Sequence, residues 1–194
     1  MFIKNPTDGL IPKKPSDNRK AKLRSHSYKA GHRLPVLSAS ELLSSKKRRW
    51  TLEQVAQLSY LEEDYYQVTY AELITNFAEF VQVVPMHATA YLGSLLNESL
   101  ALGFSSLHHH LRQNNGQAIK KTAPDPLLCF AVFSAGLLVN VARMAANQRI
   151  VLTAEDGSFL KTWNPMAGPL KEFGKFYKLR FINDGYAGVH YALT

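Results

Sequence analysis

Apolar side chains recur through the middle of the chain at the three-and-four spacing of a helix. In "TYAELITNFAEFVQVVP", Leu73, Phe77, Phe80, Val81 and Val84 share one face, and Pro85 ends the run. Leu92, Leu96, Leu100, Phe104, Leu107 and Leu111 make the next stripe, predicting a long helix over 88–113 that closes at "NNGQ". After the loop "TAPDP", residues 126–147 predict a third long helix. Two shorter helices precede these. One starts inside "LPVLSASELLSS" with Ser38 or Ser40 as cap; the other starts at "WTLEQ", where Thr51 and Gln54 have capping-box spacing. Beyond Gln148 the texture changes. "RIVLT" and "FLKTW" flank Asp156-Gly157, which predicts a β-hairpin. "NPMAGPL" reads as a loop, "KEFGKFY" as a short helix, and "KLRFIN-DG-YAGVHYAL" as a second hairpin. The expected fold class is mainly α: a helical bundle carrying one or two small hairpins.

Composition divides this picture into an arm and a body. The chain has 194 residues, 46% of them hydrophobic, which suffices for one domain with a real core. The net charge of +8 is unevenly spread: residues 1–50 hold 13 Lys/Arg against 3 acids, and residues 51–194 hold 10 against 12. Lys13, Lys14, Arg19, Lys20, Lys22, Arg24, Lys29 and Arg33 sit among Pro, Ser, Asn and Gly, a composition too poor in apolar surface to fold alone. Residues 1–33 are therefore expected to be a flexible basic arm and 34–194 the folded domain. A second cluster, Lys46, Lys47, Arg48 and Arg49, stands before Trp50. Arm and cluster together could follow a phosphate backbone by releasing its counterions; the plainer alternative is a solvated tail. A lone cysteine, Cys129, excludes an internal disulfide framework. The start "MFIKNPTDGLIPKK" lacks an apolar core of signal-peptide length, and "PLLCFAVFSAGLLVNVARM" is interrupted by Asn140 and Arg143. No membrane insertion and a cytoplasmic location are the expectations.

The candidate chemistry begins with "SSLHHHLRQNN", which holds His108, His109 and His110, three of the chain's seven histidines. Adjacent helical positions are turned about 100° apart, so the three cannot all ligate one ion. Helical metal sites use i, i+3 or i, i+4 pairs, and those offsets here hold no carboxylate or thiolate. His87 and Glu98 share a helical face but lie about 16 Å apart along an unbroken helix. No phosphate-cradling glycine loop, nucleophile elbow or Cys pair occurs elsewhere.

The stretches "FAEFVQVVPMHA", "GSLLNESLALG", "AGLLVNVAR" and "DGSFLKTWNPMAGPL" resemble the N-terminal HD-type domain of conjugative relaxases of the H mobilisation class, also described as a conjugal helicase. The resemblance runs from "LPVLSASELL" nearly to the C-terminus, and the family continues beyond where this chain stops. It implies an HD-like helical bundle whose metal-ligand positions have degenerated. After the "VQ-x-x-P" proline, where the family has several histidines, His87 stands alone. Glu98 replaces a histidine, and Val139-Asn140 replaces the paired His-Asp. Valine ligates nothing, and asparagine offers only a neutral carbonyl oxygen. His190 matches a histidine that follows the "WNP" loop.

The resemblance implies a non-catalytic DNA-processing accessory of a bacterial mobile element, without metal or cofactor, binding DNA through the arm. Relaxosome or type IV secretion proteins are its expected partners. One alternative is a structural, protein-binding subunit of a conjugation or type IV secretion apparatus. Another is a surviving metal-dependent nuclease or phosphohydrolase using His87, Glu98, His108 and His190.

Overall fold

The computed structural model describes residues 32–116, 124–142, 144 and 148–182, with side chains in the long central helix described as far as residue 113. The sheet opens at β1 (Leu34–Pro35). Helix α1 (Ala39–Leu43) follows, and Ser38 is its cap: the hydroxyl accepts from the Glu41 N–H while the Glu41 carboxylate accepts from the Ser38 N–H. Helix α2 (Lys46–Ser59) starts earlier than expected. Ser45, not Thr51, caps it, and the Thr51 hydroxyl instead donates to the Lys47 carbonyl one turn back, at 3.1 Å.

Helix α3 (Glu63–Tyr66) runs through a π-helical segment (Gln67–Ala71) into α4 (Glu72–Val81). Gln82 ends α4 at φ 51°, ψ −143°, a backbone region that strongly favours glycine. Its side chain explains how the conformation is held. The amide Nε2 donates to the carbonyls of Leu37 (3.0 Å) and Glu79 (2.8 Å), while Oε1 accepts from the Leu37 N–H at 2.8 Å. One buried amide thus ties α4 to the segment entering α1.

The leucine stripe lies on α5 (Ser94–Gly116), which begins six residues later than expected. Residues 84–93 form an irregular loop, and Gly93 enters the helix at φ +79°. Helix α6 (Pro126–Leu138) has Pro126 in its first turn, and the Asp125 carboxylate accepts from the Leu127 and Leu128 N–H groups. A turn at Val139 and Asn140 interrupts the helix expected to run to residue 147, and residues 141, 142 and 144 beyond it are again helical. Helices α5 and α6 make the most extensive helix contact of the fold, crossing at two glycines. A Cβ on Gly136 would stand 3.0 Å from both the Gly103 Cα and the Leu102 carbonyl oxygen, so only hydrogen fits.

The β region is larger than a hairpin. Strands β2 (Gln148–Thr153) and β3 (Phe159–Thr162) form the expected Asp156-Gly157 hairpin, with Gly157 at φ +85°. Leu170–Glu172 is a single 3-10 turn, and the residues after it, expected to be helical, enter strand β4 (Phe176–Phe181). Strand β4 pairs antiparallel with β2 over its full length and with β1 at its start, giving a four-stranded sheet in the order β1-β4-β2-β3. Alternation in "FYKLRF" decides the strand: Tyr177 and Leu179 go into the core, and Phe176, Lys178 and Arg180 face outward. The remainder of the expected second hairpin lies outside the described residues.

One core unites both parts. Leu96, Leu100, Leu107, Phe133, Leu137, Ile150, Leu152, Tyr177 and Leu179 are all buried within it. Gln148 Nε2 donates to the Pro85 carbonyl at 2.7 Å, fixing the sheet to the loop before α5. Trp163 packs edge-on to Phe80 and donates to the Gly168 carbonyl at 2.9 Å. No helix among the described residues is long and apolar enough to cross a membrane.

Candidate functional site

A cleft of about 800 Å3 opens where the loop 84–93, the first turns of α5 and the turn after α6 meet. Ser94, Glu98, Ala101, Leu102 and Ser105 supply the helical wall, spaced so that they share the side of α5 away from the leucine stripe. His87 and Tyr91 come from the loop and Asn140 from the turn. The walls are fixed by bonds behind them. The Ser94 hydroxyl accepts from the Met86 N–H at 2.8 Å, and the Tyr91 hydroxyl accepts from Asn97 Nδ2 at 3.1 Å. Within the cleft, His87 Nδ1 meets the Thr89 hydroxyl at 3.1 Å.

His87, Glu98 and Asn140 are thus brought to one cleft. The 16 Å separation along an unbroken helix does not apply, because His87 lies outside α5, in the loop that precedes it. Val139 does not line the cleft; its side chain is 59% exposed. The donors here are one imidazole, one carboxylate and one neutral amide. Among the described residues, no three His, Cys, Asp or Glu side chains are grouped to hold a metal ion. A divalent cation takes four or more donors, several of them anionic or imidazole, so these residues do not fit such an ion.

The three adjacent histidines lie further along α5. His108 stacks on Phe104 with ring centroids 5.9 Å apart, and Phe104 meets Trp50 edge-on. His109 Nε2 bonds Gln113 Nε2 at 2.8 Å, and His110 is half-buried. His108 and His109 border a separate depression with Arg112. His190 lies outside the described residues, as do Lys13, Lys14, Arg19, Lys20, Lys22 and Arg24.

The basic cluster on α2 divides. Lys46, Lys47 and Arg49 are exposed in the first turn. Arg48 is not a surface cation of that kind. It reaches 49 residues along the chain to donate from Nε to Asn97 Oδ1 at 2.7 Å, and its Nη1 donates to the Leu42 carbonyl. Nη2 approaches the Gly93 carbonyl at 3.5 Å. Burial pushes the guanidinium below its ordinary value, and the nearby Tyr91 phenol opposes that shift. The reason is geometric: after the short α1, position 48 faces the start of α5, so its charge holds the wall of the cleft.

Sequence reasoning missed Tyr91, Ser94 and Ser105 as cleft residues. For Ser94 and Ser105 the signal was the small and polar set at helical spacing opposite the leucine stripe; Tyr91, in the loop, gave no such signal. Residues 31–193 match the TraI_2 family model, described as "Putative helicase". The chain belongs to this family. TraI_2 is a domain of TraI-like conjugative relaxases, and its match spans every strand and helix described above. No curated protein matches the chain.

Proposed function

We propose that this TraI_2 chain is a non-catalytic DNA-processing accessory of conjugative transfer in the bacterial cytoplasm, with an HD-like bundle whose metal site has degenerated. The observation carrying the non-catalytic part is the donor set of the cleft: His87, Glu98 and Asn140 converge, and Val139 brings no donor beside them. DNA contact is assigned to the arm cations Lys13, Lys14, Arg19, Lys20, Lys22 and Arg24, together with Lys46, Lys47 and Arg49. The last three support it in a specific way. Cations at a helix N-terminus oppose the helix dipole, so they are not there to stabilise α2.

The test is fluorescence anisotropy of labelled DNA against the full chain and a variant with Lys13, Lys14, Lys20, Lys22, Lys46, Lys47 and Arg49 changed to Gln. The reading expects the variant to lose most of its affinity, with a flatter dependence on salt. Equal affinity and equal salt slope in the two proteins would sink it.

A second reading has one observation in its favour. Tyr91 and Leu102, large apolar side chains of the cleft, are exposed, as a protein-binding subunit of a conjugation or secretion apparatus would need. Its signature is a partner complex that persists at high salt and is lost in Leu102→Asp.

A further inference from the structure

The outer face of the four-stranded sheet, with Arg33 of the expected arm lying against it, carries a second arrangement, distinct from the cleft. Residues opposite one another across a ladder project to the same face, so the register places them in rows. The first row runs Thr153, Phe176, Pro35 across β2, β4 and β1, and Phe159 of β3 pairs with Thr153 just past a register shift at Leu152/Thr153. The second runs Thr162, Val151, Lys178. The third is Arg149 directly opposite Arg180. Thr153 and Val151 are buried, whereas Phe159 is 67% exposed and both arginines are exposed. One end of the face is therefore aromatic and the other cationic.

Arg149 and Arg180 are the informative pair. Like charges directly opposite on a sheet destabilise it. Among the described residues, neither guanidinium has an ion-pair or hydrogen-bond partner. The acids of the β2–β3 turn, Glu155 and Asp156, lie at the Phe159 end of the face. Asp156 accepts from the Ser158 N–H there at 2.8 Å, and its carboxylate also feels the charge of Arg33. At the aromatic end, the Arg33 guanidinium lies 4.4 Å from the centre of the Phe176 ring. It presents a flat cationic plane on which a base can stack.

Lys178 points the other way, its ammonium donating to the Gly157 carbonyl of the β2–β3 turn at 3.0 Å. We propose that this face binds single-stranded nucleic acid, with phosphates on Arg149 and Arg180 and bases stacked at Phe159 and on the Arg33–Phe176 pair. A basic surface tracking the backbone beside sequence-tolerant aromatic planes is the chemistry such ligands need. Four strands about 4.8 Å apart and rows about 7 Å apart give room for two or three nucleotides. A duplex hides its base faces and could use the cations alone. The identity of the ligand rests on the DNA-processing reading; the site does not rest on the arm cations Lys13 to Arg24.

The experiment titrates fluorescein-labelled (dT)15 with the full chain at several salt concentrations. It is repeated with Arg149→Gln/Arg180→Gln, with Phe159→Leu/Phe176→Leu, and with each pair combined with the neutralised arm. The arginine pair is expected to weaken binding about tenfold and to lower the salt slope by about 1.4, the single-strand value for two phosphates. The phenylalanine pair is expected to weaken binding about tenfold with the slope kept. Arg149→Lys/Arg180→Lys keeps both charges and the slope.

The proposal is overturned if folded Arg149→Gln/Arg180→Gln protein, matched to the parent by circular dichroism, binds with unchanged affinity and slope. It is equally overturned if 15-residue poly-glutamate binds as tightly as (dT)15, which would make the face a protein-docking surface. Loss in the arm variant alone removes the sheet site and keeps the arm; loss in the sheet variants alone does the reverse. Absence of binding by every protein at low salt ends both readings.

Discussion

Arg48 separates a charge that binds from a charge that builds. It sits in a run of four cations, yet it is half-buried and makes two well-directed bonds, to Asn97 Oδ1 and to the Leu42 carbonyl. The contact to the Gly93 carbonyl, at 3.5 Å, is too long to count fully. Hydrogen bonds to charged groups contribute about 1.5–3 kcal/mol each. With the guanidinium half in solvent, the low end applies, and two bonds give about 3 kcal/mol for Arg48→Ala. Over a urea m-value of roughly 2.5 kcal/mol/M, the unfolding midpoint should fall by about 1 M. Arg48→Lys keeps a point charge without the planar fork and should recover about half of that. The same equilibrium unfolding on Lys47→Ala should show a change under about 0.5 kcal/mol. An Arg48→Ala midpoint within about 0.2 M of the parent would refute the reasoning and return Arg48 to the surface cluster.

Further substitutions probe other parts of the scaffold. Gly136→Ala brings a Cβ to 2.8 Å from the Ser106 hydroxyl and 3.0 Å from α5 backbone, so calorimetry should show a Tm lower by roughly 5 °C. At position 82 the side-chain bonds and the positive φ oppose one another. Gln82→Gly and Gln82→Ala should both destabilise, with glycine the milder by about 1 kcal/mol; the opposite order in urea unfolding would end the strain argument. Burial raises the Cys129 thiol above its free value, with the Asp125 carboxylate adding to the shift. The native thiol should resist Ellman's reagent at pH 8 and react at once in urea. The unfolded thiol ionises first, near pH 8.5, so its contribution to stability should be lost as pH rises beyond that value. His87→Ala/Glu98→Ala should leave stability within about 0.5 kcal/mol, because both side chains are exposed.

The helices were legible where one face alone decides burial. Leu96, Leu100, Leu107 and Leu111 are buried as their stripe requires, and Ser38 caps α1 through Glu41, a short-range signal. The Asp156-Gly157 hairpin was legible for the same reason. What escaped depends on partners distant in sequence. Strand β4 has the right alternation, but its place between β1 and β2 depends on residues some thirty positions upstream and on Leu34–Pro35 at the far end of the domain. Arg48 looks like its neighbours in the sequence, because its partner Asn97 lies on another helix. The start of α5 was misplaced because Leu92 continues the stripe while Gly93, at positive φ, precedes the first turn of the helix. That single boundary moved His87 off the helix axis and into the same cleft as Glu98.

His87, Glu98 and Asn140 are held apart from the cleft's frame, so the fold would survive the loss of metal ligands proposed above. The frame is the Gly103–Gly136 crossing, the Gln82 clasp, the Gln148–Pro85 bond and the Arg48–Asn97–Tyr91 chain. None of these passes through His87, Glu98 or Asn140. The lining side chains make few bonds to the body, so replacing a ligand there forfeits little folding energy, whereas replacing Gly136 or Gln82 forfeits much. A domain built this way can lose a metal set one residue at a time and remain folded. Its surfaces are then free to carry the function, and among the described residues the exposed cations without an ion pair include Lys46, Lys47 and Arg49 on α2 and Arg149 and Arg180 on the sheet.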